Sequence, residues 1–368
     1  MDPWNHEWAY YLAEAWRAVG RDEKSEEFYV RAVKTNPLDP MVWSSWADLC
    51  LDMGRKEDAI YALKRAAYLD PSSSFIQWRI LVRLLSIATP ESQDIARDQI
   101  SRLLLLVKPS KRENLFALGY TVAGDEEELE ELLPDDPQIW KDYIRWLLPR
   151  GEDLRVVRVW EELRDKGWTD RKLFRFVVEG LICRRHEDKA WRIWKEEYPA
   201  DGLIHNGGFE RDLAGFGFGW RWSKKIPGLK SWGFDREDAI EGNRAFFMEF
   251  DGEHNPQVNY PRQLVYIDGP GTYRLTAYMK TEEVTGAKGF SLQVWGKGLR
   301  VHGKELRGYN PWKLVSLILD VKGQGSFWVG LVRGTTRKLN KFLGGRVWID
   351  QVVLEKMNEE ESAERASG

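Results

Sequence analysis

The sequence predicts a multidomain α plus β protein, with an N-terminal α-solenoid of helix-turn-helix repeats followed by a C-terminal antiparallel β-sandwich. Three observations carry this. Of the 32 glycines, 7 precede residue 201 and 25 follow it, and glycine serves turns and strand bends while weakening helix interiors. Apolar and small residues recur at 34-residue spacing before residue 200. Beyond it the apolar period falls from 3.6 to 2. At 368 residues there is chain enough for two cores. The expected divisions are a helical domain over 1–200, a sandwich over 201–357 and a disordered tail over 358–368.

Composition narrows the class. The chain is 43% apolar and 31% charged, as soluble proteins are, but its 19 tryptophans need an account. Residues 1–200 carry 31 Lys+Arg against 37 Asp+Glu, and residues 201–368 carry 24 against 21. Basicity is sharpest over Gly296 to Arg346, where eleven Lys or Arg, Lys297 among them, face only Glu305 and Asp320. An anionic partner is expected there. Cys50 and Cys183 belong to no CxxC or Cys/His cluster, so both are expected to be buried small apolar residues. No run is long enough to span a bilayer, and the opening MDPWNHEW has neither the basic nor the apolar region of a signal peptide.

In the helical half, Ala32 and Pro37 recur as Ala66 and Pro71, each 34 residues on. Small residues stand where paired helices must approach closely, at Ala13, Ala32, Ala47, Ala59 and Ala66. With large residues such as Trp16, Tyr29 and Trp43 in the apolar slots, this resembles the tetratricopeptide repeat. NPLDP at Asn36 and LDPSS at Leu69 are its inter-repeat turns, where proline closes one helix and opens the next. The pattern loosens over 75–109, shortens around GDEEELEELLP and returns from Asp136. Five or six helix pairs are counted. The resemblance implies a concave surface that holds a protein partner. Helical spacing of the tryptophans (Trp43 and Trp46, Trp191 and Trp194) reads as inter-helix packing.

Strand signals begin after Leu203–Trp222, LIHNGGFERDLAGFGFGWRW. Thr272–Lys280 alternates cleanly, with Tyr273, Leu275, Ala277 and Met279 on one face. Comparable runs occupy 245–250, 263–267, 290–295, 313–321, 326–332 and 346–354. Seven or eight short strands predict a β-sandwich.

NGGFE at Asn206, the strand at Gln263 followed by GPGTYRLTAYMK, and the closing GGRVWIDQVVLE occur in the order seen in carbohydrate-binding-module jelly rolls, which the domain resembles. The resemblance implies that NGGFE opens the first strand, that a long loop building part of a cleft follows, and that Glu210 and Asp350 sit near a structural calcium. The family places a glycine soon after Phe-Glu, whereas this chain has Arg211 and Asp212.

Sugar recognition needs aromatic faces and polar neighbours. Trp295 and Gln293 are off the core phase of Leu292 and Val294, and Trp328 is off that of Phe327 and Val329. Arg274 and Tyr278 lie on the polar face of their strand, and Trp220, Trp222 and Trp232 fall in the expected long loop. These eight residues are the candidate carbohydrate site. For each one, cover by a loop or by the helical domain is the competing explanation. The basic run beside Trp295, Trp312 and Trp328 suits an acidic polysaccharide. Nucleic acid ranks lower, because no recognised motif appears.

No catalytic constellation is found. Glu249 and Asp251 share one strand face, whereas glycosidase carboxylates come from opposing elements. The five histidines are scattered, and GFGFG at Gly215 is no dinucleotide loop. The expectation is a non-catalytic adaptor for a polysaccharide and a protein partner, with no nucleic acid and no membrane span. The combination resembles bacterial exopolysaccharide-associated proteins, which implies the cell envelope or periplasm. The alternative is a scaffold whose jelly roll docks protein.

Overall fold

The computed structural model describes residues 5–198, 202–296 and 298–358. It divides into two compact units. The described residues up to Glu152, with Val159–Trp168, form the first, and Asp153–Arg158 with the described residues from Thr169 onward form the second. Lys297 and the greater part of the expected tail, 359–368, lie outside the described residues, as does the expected boundary at 199–201.

Twelve α-helices come first among the described residues: α1 His6–Ala18, α2 Asp22–Thr35, α3 Pro40–Asp52, α4 Lys56–Leu69, α5 Ser74–Ile87, α6 Pro90–Leu106, α7 Pro109–Ala123, α8 Glu126–Glu131, α9 Pro137–Leu147, α10 Asp153–Asp165, α11 Arg171–Cys183 and α12 Glu187–Glu197. The turn phrases act through their caps. In NPLDP the Asp39 carboxylate accepts from Met41 N at 2.8 Å while Pro40 opens α3, and in LDPSS Ser73 Oγ caps α5 by accepting from Ile76 N. Ala13, Ala32, Ala47, Ala59 and Ala66 have no exposed surface, as the close approach of α1 to α2 and α3 to α4 requires. The short α8 crosses α7 at Gly119, where a Cβ would lie 2.7 Å from Leu129 Cδ1. The Trp43 and Trp140 indoles each donate to a proline carbonyl six residues upstream, Pro37 O and Pro134 O. One cysteine departs from expectation: Cys50 is buried and its thiol is pushed up to about 11, chiefly by burial, but Cys183 at the end of α11 is exposed.

Nine strands follow among the described residues: β1 Leu229–Asp235, β2 Ala245–Asp251, β3 Arg262–Ile267, β4 Gly271–Val284, β5 Ser291–Gly296, β6 Leu299–His302, β7 Gly308–Val321, β8 Gly325–Val332 and β9 Gly344–Lys356. They form two antiparallel sheets, β1-β2-β9-β4-β7 and β3-β8-β5-β6. Met248, Val265, Leu275, Val294, Phe327 and Ile349 belong to the core cluster they share. The seven expected runs are all strands. β1 and β6 were not expected: Gly233 interrupts the apolar pattern of β1, and β6 alternates over only 4 residues, LRVH.

The opening segment corrects the expectation of a first strand. Asn206 and Phe209 have φ of 55° and 57°, so the backbone turns where an extended strand would need negative φ. Asn206 closes the turn by accepting from Arg211 N and donating to Arg211 O. The buried Gln263 amide accepts from His205 N at 2.9 Å and donates to His205 O at 2.7 Å, pinning this turn to β3.

GFGFG then packs on the last helix pair, within the second unit. Phe216 meets Phe174 and Trp194 edge to face, and Phe218 meets Trp191 and Trp194. Glu179 of α11 accepts from Gly217 N at 2.6 Å and from the Arg221 guanidinium at 2.9 Å. Gly217 thus serves close helix packing, whereas a Cβ on Gly215 would meet open space.

Candidate functional site

The outer face of the four-stranded sheet gathers three of the eight candidate residues. Register sets them in two rows. One runs Leu264, Trp328, Trp295, Arg300 and the other Arg262, Gly330, Gln293, His302 across β3, β8, β5 and β6. With strands ~4.8 Å apart, the half of each row from β8 to β6 covers roughly 10 Å. Leu292, Val294, Phe327 and Val329 fill the core below, so period 2 turns Gln293, Trp295 and Trp328 outward. Gly330 has no side chain because Pro261 O and Arg262 Cβ lie 2.6 and 2.9 Å from where its Cβ would stand.

Charge is concentrated at the β3 side. The Arg262 and Arg221 guanidiniums lie 4.7 and 5.0 Å from the Trp328 ring centroid, and the two residues are paired backbone to backbone. Burial lowers the Arg221 pKa and the adjacent Arg262 lowers it further, while Glu179 opposes both. Trp328 therefore holds two cations against the sheet. Trp295 and Gln293 are half-buried, whereas Arg300 and His302 are exposed at the β6 edge. Gln293 Nε2 donates to Ser291 Oγ at 2.9 Å. An open cavity of about 170 Å³ adjoins Trp295 through Gly296 and is lined by Asp320, Lys322 and Gln324.

Helices cover the other end of this face. Ser326 donates to Glu187 of α12 at 3.2 Å, and Leu264 and Tyr266 are buried. The face is thus open over β5 and β6 and closed at Leu264 and Tyr266 of β3, while Arg262 at the start of β3 is half-buried.

The other candidates lie elsewhere. Trp220 is 1% exposed, lies against Phe209 with ring centroids 5.0 Å apart, and donates its indole N–H to Asn206 O at 3.0 Å. It is a core residue, because protein occupies its surroundings. Trp232 belongs to β1, not to a loop, and with Trp222 it packs against the core, their centroids 4.8 Å apart. Arg274 and Tyr278 face outward from β4 on the five-stranded sheet, on the opposite side of the sandwich. Arg262, Arg221, Arg300 and His302 were missed. Arg262 shares the phase of Leu264 and Tyr266, off that of Val265 and Ile267, and this was the available signal.

Glu210 and Asp350 clamp the β1–β2 connection. Glu210 Oε1 accepts from Asn243 N at 2.9 Å and Arg244 N at 3.2 Å, and Asp350 accepts from Ile240 N at 3.0 Å and Gln351 N at 2.8 Å. Burial raises the Asp350 carboxyl to about 6 against these donors. Burial also acts to raise Glu210, but its N–H donors outweigh this and hold it below the usual value. Calcium takes roughly six to eight oxygens. The two carboxylates are directed at N–H groups, and among the described residues no three His, Cys, Asp or Glu side chains gather as a metal centre. This donor set does not fit a calcium cage.

Glu249 and Asp251 are equally committed. Hydrogen bonds from Lys230 and Arg346 hold Glu249 at about 2, and the N–H of Glu253 together with His254 lowers Asp251. Both are ionised at neutral pH, so neither offers the proton that glycoside cleavage requires.

No protein-family model and no curated protein matches the chain. Among solved structures, TmCBM61, solved with β-1,4-galactotriose, is 20% identical, with 43% of this chain and 100% of that chain covered and a TM-score of 0.31. YrrB, a TPR protein with an unusual peptide-binding site, is 10% identical over 54% of this chain and 87% of that one, with a TM-score of 0.26. A tetratricopeptide repeat protein from Parabacteroides merdae is 14% identical over 53% and 78%, with a TM-score of 0.30.

Proposed function

We propose that this protein is a non-catalytic adaptor in which the outer face of the four-stranded sheet binds a polysaccharide carrying carboxylates and the helical repeats hold a protein partner. The observation that carries it is the pair of rows centred on Trp295. An aromatic face lies between the guanidiniums at Arg262 and Arg221 and the exposed Arg300, with Gln293 and His302 beside it. A sugar ring stacks on the indole, its hydroxyls bond the amide and imidazole, and a carboxylate meets a guanidinium with two parallel hydrogen bonds. Arg221 already answers Glu179, which leaves Arg262 and Arg300 as the carboxylate readers. Polysaccharide assembly or export at a bacterial envelope is the setting that we assign to it, and the reading requires no calcium.

A second reading is favoured by one observation. The helix pair α11 and α12 already packs on GFGFG and over β3, as a sandwich serving only as a docking or capping module would. Titration calorimetry of the full chain against oligogalacturonides and neutral galacto-oligosaccharides separates the two. Salt-sensitive binding of the acidic series, lost in Trp295→Ala, supports the adaptor. Absence of binding to either series supports the scaffold.

A further inference from the structure

The basic run is not one surface in three dimensions. Its C-terminal part, the connection between β8 and β9, contributes no residue to the two rows and has a composition of its own. Leu339 is 100% exposed and Phe342 is 45% exposed, and Arg337, Lys338 and Lys341 stand exposed around them. The sequence holds no acidic residue from Val321 to Ile349.

This connection is braced at its base. Arg333 is 1% exposed, and its guanidinium donates to Pro256 O at 2.5 Å, Lys341 O at 3.0 Å, Lys288 O at 3.2 Å and Asn255 Oδ1 at 3.3 Å. Asn255 Nδ2 donates to Thr336 O at 2.8 Å, Ala287 N to Asn340 O and Thr285 Oγ1 to Phe342 O. The apolar tip is therefore held out by a buried arginine. Of the charged neighbours, Lys288 is paired with Glu305, Asp251 with His254, and Glu253 is exposed near the base.

We infer that this loop is a contact for an anionic membrane surface, with Leu339 and Phe342 entering the interface and Arg337, Lys338 and Lys341 meeting lipid phosphate and carboxylate groups. Apolar side chains flanked by cations partition into a bilayer interface, and each cation adds attraction to an anionic leaflet. A soluble polyanion would use the same cations but has no use for a fully hydrated leucine. That difference favours lipid, and the inference is independent of the sugar reading because it uses none of the same residues.

Cosedimentation of the full chain is measured with vesicles of phosphatidylcholine alone and with about a third phosphatidylserine, at about 0.1 M salt. The expected result is preference for the anionic vesicles, reduced about fivefold or more both by Leu339→Ser and by the triple variant Arg337→Gln, Lys338→Gln, Lys341→Gln. Leu339 makes no core contact, so its variant keeps the wild-type melting temperature. Binding indifferent to Leu339→Ser, or equal on both vesicles, overturns the inference. So does polygalacturonate binding that falls in the triple variant while vesicles go unbound, which would make the loop a polyanion site.

Discussion

Gly217 and Trp194 compete for one volume: a Cβ on Gly217 would lie 2.5 Å from Trp194 Cζ3. The indole of the last helix therefore seats directly on the backbone of GFGFG, and Gly217 has φ of 57°, where a side chain is strained. Gly217→Ala is expected to cost about 1 to 3 kcal/mol through overpacking. Thermal unfolding followed by circular dichroism checks it, and an unchanged midpoint would show that the helix pair does not depend on this seat.

Trp295→Ala removes the open aromatic platform without touching the core. Affinity for an acidic oligosaccharide should fall about tenfold or more, equivalent to about 1.4 kcal/mol. Calorimetry reads the affinity and the melting temperature should stay put.

Arg262→Gln keeps the stem and a donor while deleting charge. Preference for charged over neutral sugars should drop by about tenfold and the salt dependence should flatten. Paired titrations at two ionic strengths test this, and an unchanged preference would move the carboxylate to Arg300.

Glu249 sits between Lys230 and Arg346, 2.7 and 2.9 Å from its oxygens, and its pKa falls from 4.5 to about 2 on folding. A carboxylate with a depressed folded value contributes stability above its unfolded pKa and loses it as pH falls through the folded one. Glu249→Gln should therefore be about 1 to 3 kcal/mol less stable than wild type at neutral pH, with the gap closing between about pH 4.5 and 2. Urea unfolding across that window decides it.

Calcium should leave stability unchanged, because Glu210 and Asp350 already answer backbone N–H groups. Melting with added calcium chloride and then with a chelator is the check. A calcium-dependent rise of several degrees would place a cation there after all.

Much was legible in the sequence because it was local. The five repeat alanines are buried and the seven alternating runs are strands, since period and residue size are written directly into the chain. Phase likewise sent Trp295 and Trp328 outward. Position along the chain misled for Trp220, since a tryptophan beside glycines reads as a loop aromatic until Phe209 and the Asn206 carbonyl are seen to enclose it. It misled also for NGGFE, whose positive φ values no alternation reveals.

By itself, the sequence determined the two architectures and which side of each strand carries apolar weight, because those depend on spacings of a few residues. Only the tertiary structure decided which outward faces share a sheet. Strand order places β5 beside β8 and puts Tyr278 on the other side of the sandwich. It brings Arg221 and Arg262 onto Trp328 and aims backbone N–H groups at Glu210 and Asp350. Contacts between residues 33 to 110 positions apart depend on sheet order and loop path, and no local period encodes either.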